Sequence, residues 1–143
     1  MAHLNRQEEA LVALHAMPTG EATPVQVVKM LFLIEEEAKD GIGGAKFHFV
    51  PYDYGPFDQG VYVELNDLAR QGLVEIIESR PRVYRLTELG RAEAAKAMAR
   101  LDEKFSGLIY KFGKWMSGLT FAQLVTAIYD RYPKMRANSI FRG

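Results

Sequence analysis

The chain has 143 residues, 48% of them hydrophobic, with 18 Lys+Arg against 18 Asp+Glu and no cysteine. That length and apolar content fit one compact domain, here taken as 1–143, and the lack of cysteine excludes a disulfide framework and a thiolate metal site. No apolar run approaches the ~20 residues of a membrane-crossing helix, and the N-terminus, acidic at Glu8 and Glu9, lacks a signal-peptide layout, so the expectation is a soluble cytoplasmic protein without membrane contact.

Leu4 to Met17 reads as a first helix, with Leu4, Leu11 and Leu14 at helical spacing and Pro18 and Gly20 as its stop. Thr23-Pro24-Val25-Gln26 opens a second helix as a capping box with proline at the first helical position. Glu35, Glu36 and Glu37 fall near its end, where the macrodipole disfavours them, and read as a solvated helix end. Phe47 to Tyr54 is aromatic and β-forming, a short strand or extended arm, with Gly55-Pro56 as the turn after it. Asp58 caps a third helix to about Gln71, with Val61, Leu65 and Leu68 on one face and Gly72 as its stop. Leu73–Glu78 and Arg82–Leu86 form a hairpin about Ser79-Arg80-Pro81. Thr87 caps a fourth helix through about Glu103, and two more follow near Ser106–Met116 and Thr120–Arg131, the last with a capping box from Thr120 to Gln123. The last ten residues read as a basic, loose tail.

Three helices closed by a two-stranded hairpin are the layout of a winged helix-turn-helix. The expected fold is therefore mainly α with a small β-hairpin wing. Residues 1–90 form the winged-helix core, and 91–143 a C-terminal helical extension with a basic tail.

The passage Gly72-Leu73-Val74-Glu75 into Tyr84-Arg85-Leu86-Thr87-Glu88-Leu89-Gly90 resembles the helix-to-wing passage of many bacterial winged-helix regulators. Val27 to Leu33, then Tyr54-Gly55-Pro56-Phe57, then Val61-Tyr62 with Leu65, Leu68, Gly72 and Leu73, is similar to the SocA-like antitoxin domain, also called Panacea. It is equally similar to related bacterial winged-helix proteins with a YGPF or YGPY turn, whose C-terminal end the run Ala127 to Pro133 with Asn138 and Ser139 also resembles. The resemblance implies protein binding by an antitoxin-like regulatory module of bacterial or phage origin, with a toxin as the partner.

Charge divides the chain. Residues 1–78 hold 5 Lys+Arg and 13 Asp+Glu, and residues 79–143 hold 13 Lys+Arg and 5 Asp+Glu. Either the basic half meets a polyanion, or the two halves attract each other across the fold. The third helix, where a winged helix reads DNA, carries Glu64 and Asp67 against Arg70. Those carboxylates repel phosphates, so the usual docking mode is disfavoured. Nucleic-acid contact would instead use the wing arginines Arg80, Arg82 and Arg85, and a second cluster of Arg131, Lys134, Arg136 and Arg142. By strand alternation Arg80 and Arg82 share one face with Tyr84. DNA-binding transcription regulation is thus the runner-up function.

For the leading function the candidate partner-binding residues are the aromatic segment Phe47, Phe49, Tyr52, Tyr54 and Phe57, together with acidic Glu64 and Asp67. Either these aromatics plug the gap between the first helices, or they form an exposed face, since aromatic side chains anchor interfaces. Leu108, Phe112 and Trp115 at helical spacing read as core or a homodimer seam. No motif supports catalysis. His3, His15 and His48 lack ligand spacing. The glutamate run splays around its helix. Gly41-Ile42-Gly43-Gly44 lacks the Lys-Ser/Thr of a phosphate loop, and the serines lack an elbow. The expectation is no enzyme, no cofactor and no metal.

Overall fold

The first helix begins where Asn5 can cap it. Asn5 Oδ1 accepts from the Glu8 amide at 2.8 Å, and the Glu8 carboxylate accepts from the Asn5 amide at 2.9 Å, a reciprocal box that sets α1 as Arg6–Ala16. Thr23 and Gln26 repeat the device for α2, Pro24–Glu37, as the sequence predicts. Between them, Glu21–Ala22 forms a two-residue strand, β1, too short to carry a sequence signal.

The computed structural model describes residues 2–141, which are mostly helical, with six α-helices and small antiparallel sheets of three and two strands. No helix among them is long and apolar enough to cross a membrane. Val50–Tyr52 (β2) and Gly55–Phe57 (β3) pair with Pro51 opposite Pro56. The turn is therefore Asp53-Tyr54, and the expected turn at Gly55-Pro56 is corrected to strand. Two prolines facing each other remove ladder donors on both strands, which fits a short, marginal hairpin.

Helix α3, Gly60–Arg70, starts two residues after Asp58, whose carboxylate accepts from the Gly60 amide at 2.7 Å and the His48 amide at 2.5 Å. It stops at Gly72, whose φ of +77° suits the left-handed turn. There the Leu73 amide bonds back to the Leu68 carbonyl and the Gly72 amide to the Ala69 carbonyl, the paired bonds of a Schellman stop.

Val74–Ile77 (β4) and Val83–Leu86 (β5) form the second hairpin, and β1 adds to it in the order β1-β5-β4. Tyr84 and Leu86 point into the core. Thr87 caps α4, Glu88–Ala99, by accepting from the Gly90 amide at 3.0 Å. The helix ends four residues short of the expected Glu103, because Asp102 turns to extended backbone and opens α5, Glu103–Ser117. The α6 box from Thr120 to Gln123 forms as expected over Phe121–Arg131.

Helix α1 touches α2, α3, α4 and α5 and is the pillar of the core. On α5 the inward residues are Ile109, Gly113 and Met116, whereas Trp115 is 42% exposed. Of the face read from Leu108, Phe112 and Trp115, the first two are half-buried and pack against the core, while Trp115 does not belong to it. The reason is Gly113: its missing side chain lets the α5 backbone close on the Ala16 carbonyl of α1.

The C-terminal segment is corrected too. Pro133–Arg136 forms a 3-10 turn, and residues 138–140 lie along the β2–β3 hairpin. Asn138 Nδ2 donates to the Pro51 carbonyl at 3.2 Å, and the Ile140 amide to the Asp53 carbonyl at 2.9 Å. Tyr129 donates its hydroxyl to Ser139 at 2.6 Å.

Candidate functional site

The aromatic segment divides in two. Phe47 is buried, and Phe49 meets Phe32 of α2 edge-on at 5.6 Å between ring centres. The Arg6 guanidinium covers the Phe47 ring at 4.6 Å and donates to the Lys46 carbonyl, which clamps the segment to α1. Phe47 belongs to the core, and half-buried Phe49 packs against it. Tyr52 and Tyr54 are 51% and 40% exposed at the tip of the hairpin. Phe57, half-buried, stacks on Tyr52 at 4.9 Å and leans on Tyr62 of α3. Tyr54 meets exposed Phe121 at the start of α6, at 5.2 Å, and Phe121 meets Phe141. Exposed Val50 and Ile140 flank the same hairpin. The tip thus carries an apolar, aromatic surface built from three separate stretches of chain, β2–β3, the start of α6 and the docked C-terminal segment. Phe121 and Ile140 were not legible as part of it, because only the fold brings them there.

The acidic residues expected beside it face elsewhere. Glu64 lies two positions after Tyr62, about 200° around the helix, and is committed to α1, pairing with Arg6 at 3.7 Å and accepting from Gln7. Asp67 pairs with Arg70 on its own helix.

Most of the basic residues are also engaged. Arg82 pairs with Glu78 at 3.0 Å. Arg85 lies between its strand neighbours, 3.3 Å from Glu21 and 3.9 Å from Glu75, each its direct cross-strand partner. Arg82 lies against Tyr84 as strand alternation predicts, but Tyr84 is buried and Glu78 holds the Arg82 guanidinium, so little free positive charge is left on that face. Arg131 pairs with Glu37 at 3.1 Å, and Tyr132 bonds the same carboxylate. Arg136 covers the Tyr129 ring at 5.6 Å. Arg80 and Lys134 are exposed without an ion pair among the described residues; Arg142 lies outside those residues. The two clusters stand apart. Pro81 at the hairpin tip lines a depression with Thr120 and Phe121 at one end of α6, and Arg131 closes the other end about 16 Å away.

Three buried ionisable side chains were missed. Glu35 is not solvated: it is 5% exposed and accepts from the Lys46 amide at 2.9 Å and the Phe47 amide at 3.2 Å. Beside it Glu9 is fully buried, with Lys46 Nζ 3.4 Å from its Oε2. Burial first, and then the neighbouring Glu35, push the Glu9 carboxyl up to about 9, so at neutral pH it is a protonated acid donating toward Glu35. Lys46 Nζ also donates to the carbonyls of Ile42 and Gly44. The cluster pins the 42–47 loop to α1 and α2. Lys29 of α2 is also buried, behind the hairpin. Its one sequence signal is a lysine in the apolar run Val27 to Ile34.

The chain matches no family model, no curated protein and no solved structure. What the site can do must be read from its own chemistry. That chemistry is an exposed aromatic surface on a small hairpin braced by α3, α6 and the C-terminal segment. Among the described residues no three His, Asp or Glu side chains converge as metal ligands.

Proposed function

We propose that this protein is a non-enzymatic protein-interaction module, resembling the SocA-like antitoxins, whose partner docks on the aromatic tip of β2–β3. The observation that carries the reading is the joint exposure of Tyr52, Tyr54 and Phe121, with the Tyr54 and Phe121 rings in contact. Aromatic rings held rigid by their neighbours lose little freedom on binding and bury large areas, which is why they dominate interface energetics. The partner surface is narrower than the whole acidic and aromatic N-terminal half: Phe47 and Phe49 brace it from below, and Glu64 and Asp67 lie around α3 from it. A toxin is the partner the resemblance suggests.

The element order fits the winged-helix reading. Helices α1 to α3 precede the β4–β5 hairpin, and β1 ties that hairpin back to the helices. The hairpin would be the wing. The runner-up, a DNA-binding transcription regulator using Arg80, Arg82, Arg85 and the C-terminal cluster, draws less support, because Arg82, Arg85 and Arg131 already hold carboxylates.

Affinity purification from the native host, with and without nuclease, tests the choice. The expected result is a stoichiometric protein that survives nuclease and is lost from a Tyr52→Ser/Tyr54→Ser variant. Hydrogen exchange should then show residues 50–57 protected by that protein. Material that disappears with nuclease and survives the double substitution would overturn the proposal in favour of DNA binding.

A further inference from the structure

Three ionisable side chains are buried among the described residues: Glu9, Glu35 and Lys29. The two acids have each other and Lys46. Lys29 has nothing. It is 3% exposed, and no hydrogen bond or ion pair among the described residues reaches its Nζ. Lysine on an apolar face normally runs its stem along the surface and leaves the ammonium in water. Here the stem is enclosed, and the Nζ, which is not among the fully enclosed polar atoms, meets solvent only through the cleft beside it; such a poorly hydrated ammonium without a counter-charge is costly.

The surroundings of Lys29 say what that is. It lines a cleft of about 220 Å³ between α2, α3 and the β2–β3 hairpin, walled by Val25, Val28, Tyr54, Phe57 and Tyr62. Gly55 forms the edge nearest the ammonium. A Cβ there would stand 3.5 Å from Nζ, and the glycine φ of +111° excludes ordinary side chains, so the backbone keeps the cleft open at the charge. Asp53 also lines the cleft but forms no ion pair with Lys29, and burial alone accounts for the lowered basicity of the lysine, to about 8. At neutral pH the group is still largely an ammonium. The cleft therefore offers one largely desolvated positive charge, reached from solvent only through the cleft, within aromatic walls. Its volume is below the ~300 Å³ at which drug-sized sites begin. It suits a single carboxylate with a ring or short apolar flank.

We infer that this cleft is a binding site for such a carboxylate, with Lys29 Nζ as its anchor and Tyr54, Phe57 and Tyr62 as the walls against its apolar flank. The source is either a small free acid or an acidic side chain of the docked protein, and the second source rests on the docking reading above. Attraction is strong in a desolvated site and needs no rearrangement of the hairpin.

Benzoate and uncharged benzamide are titrated against the labelled full chain by NMR. A capped peptide, acetyl-Ala-Phe-Glu-Ala-amide, is titrated in parallel. Benzoate should shift Val28, Gly55 and Tyr62 saturably, and benzamide should not. The facing titratable groups are Lys29, Asp53, Tyr52, Tyr54 and Tyr62. Lys29, whose basicity burial lowers to about 8, loses its charge there, so affinity should fall about tenfold per pH unit beyond it. Lys29→Met should abolish binding. Tighter binding of the peptide assigns the site to protein-borne carboxylates, and tighter binding of benzoate to small acids. Equal binding of benzoate and benzamide, a flat pH profile, or no saturable shift by any probe overturns the inference, even if Lys29→Met does not fold. Partner docking that survives such a failure leaves the docking reading standing; benzoate binding without any partner leaves the cleft standing alone.

Discussion

A carboxyl group with no exposed surface sits in the first turn of α1, and protons decide what it contributes. Glu9 titrates near 4.5 when unfolded and near 9 in the fold, so between those values the folded chain holds a proton the unfolded chain has released. Stability on this account falls as pH rises through the window, by at most about 1.4 kcal/mol per pH unit, and levels off above 9. Lys29 acts with the opposite sign in a higher window. Its ammonium is easier to deprotonate folded than unfolded, so stability rises between about 8 and 10.5. The two are separated by substitution. Glu9→Gln keeps the shape and removes the titration, so the wild-type loss of denaturation free energy between pH 5 and 8 should shrink in the variant. Parallel curves for the two proteins in urea melts across that range would show that Glu9 is ionised in the fold.

At the scale of elements, local chemistry explains most of what was legible. The capping boxes at Thr23 and Thr120, the Thr87 cap and the Gly72 stop each depend on residues within a few positions, and each forms where the sequence places it. What was not legible depends on distant chain. The two-residue β1 exists only because β5 lies beside it. Glu35 is buried because the 46–47 amides arrive to bind it. The C-terminal segment is ordered by the Pro51 and Asp53 carbonyls. The inward face of α5 was not legible from its large residues, because a glycine sets the contact. That contact can be tested: Gly113→Ala drives a methyl group into the Ala16 carbonyl and should cost about 3 kcal/mol, the upper end for overpacking. Gly107→Ala on the same helix meets no atom within contact range and should be neutral or slightly stabilising, since alanine favours helix. Thermal melts of the pair decide it; equal losses would mean that helix propensity, not helix approach, governs α5.

Across the whole molecule the charge split closes largely on itself. Arg82, Arg85, Arg100 and Arg131 from the basic half hold Glu78, Glu21, Glu75, Glu8 and Glu37 from the acidic half. These pairs are mostly exposed and each contributes little to stability, but they leave a weaker field than the sequence totals imply. Of the six described basic residues in the two candidate clusters, only Arg80, Lys134 and Arg136 carry no ion pair among the described residues. Since each phosphate contact contributes about 0.9 to the salt slope, three cations split between opposite ends of α6 support a slope shallower than about −3 for duplex DNA. Freeing the paired arginine should steepen it. Glu21→Gln/Glu75→Gln releases Arg85, and retention on heparin should move to higher salt than wild type. Arg80→Ala/Arg82→Ala should move it lower, whereas Asp67→Ala should change it little, because that carboxylate pairs on its own helix. A wild-type slope much steeper than −3, unchanged by the arginine substitutions, would place nucleic acid on a surface other than these clusters.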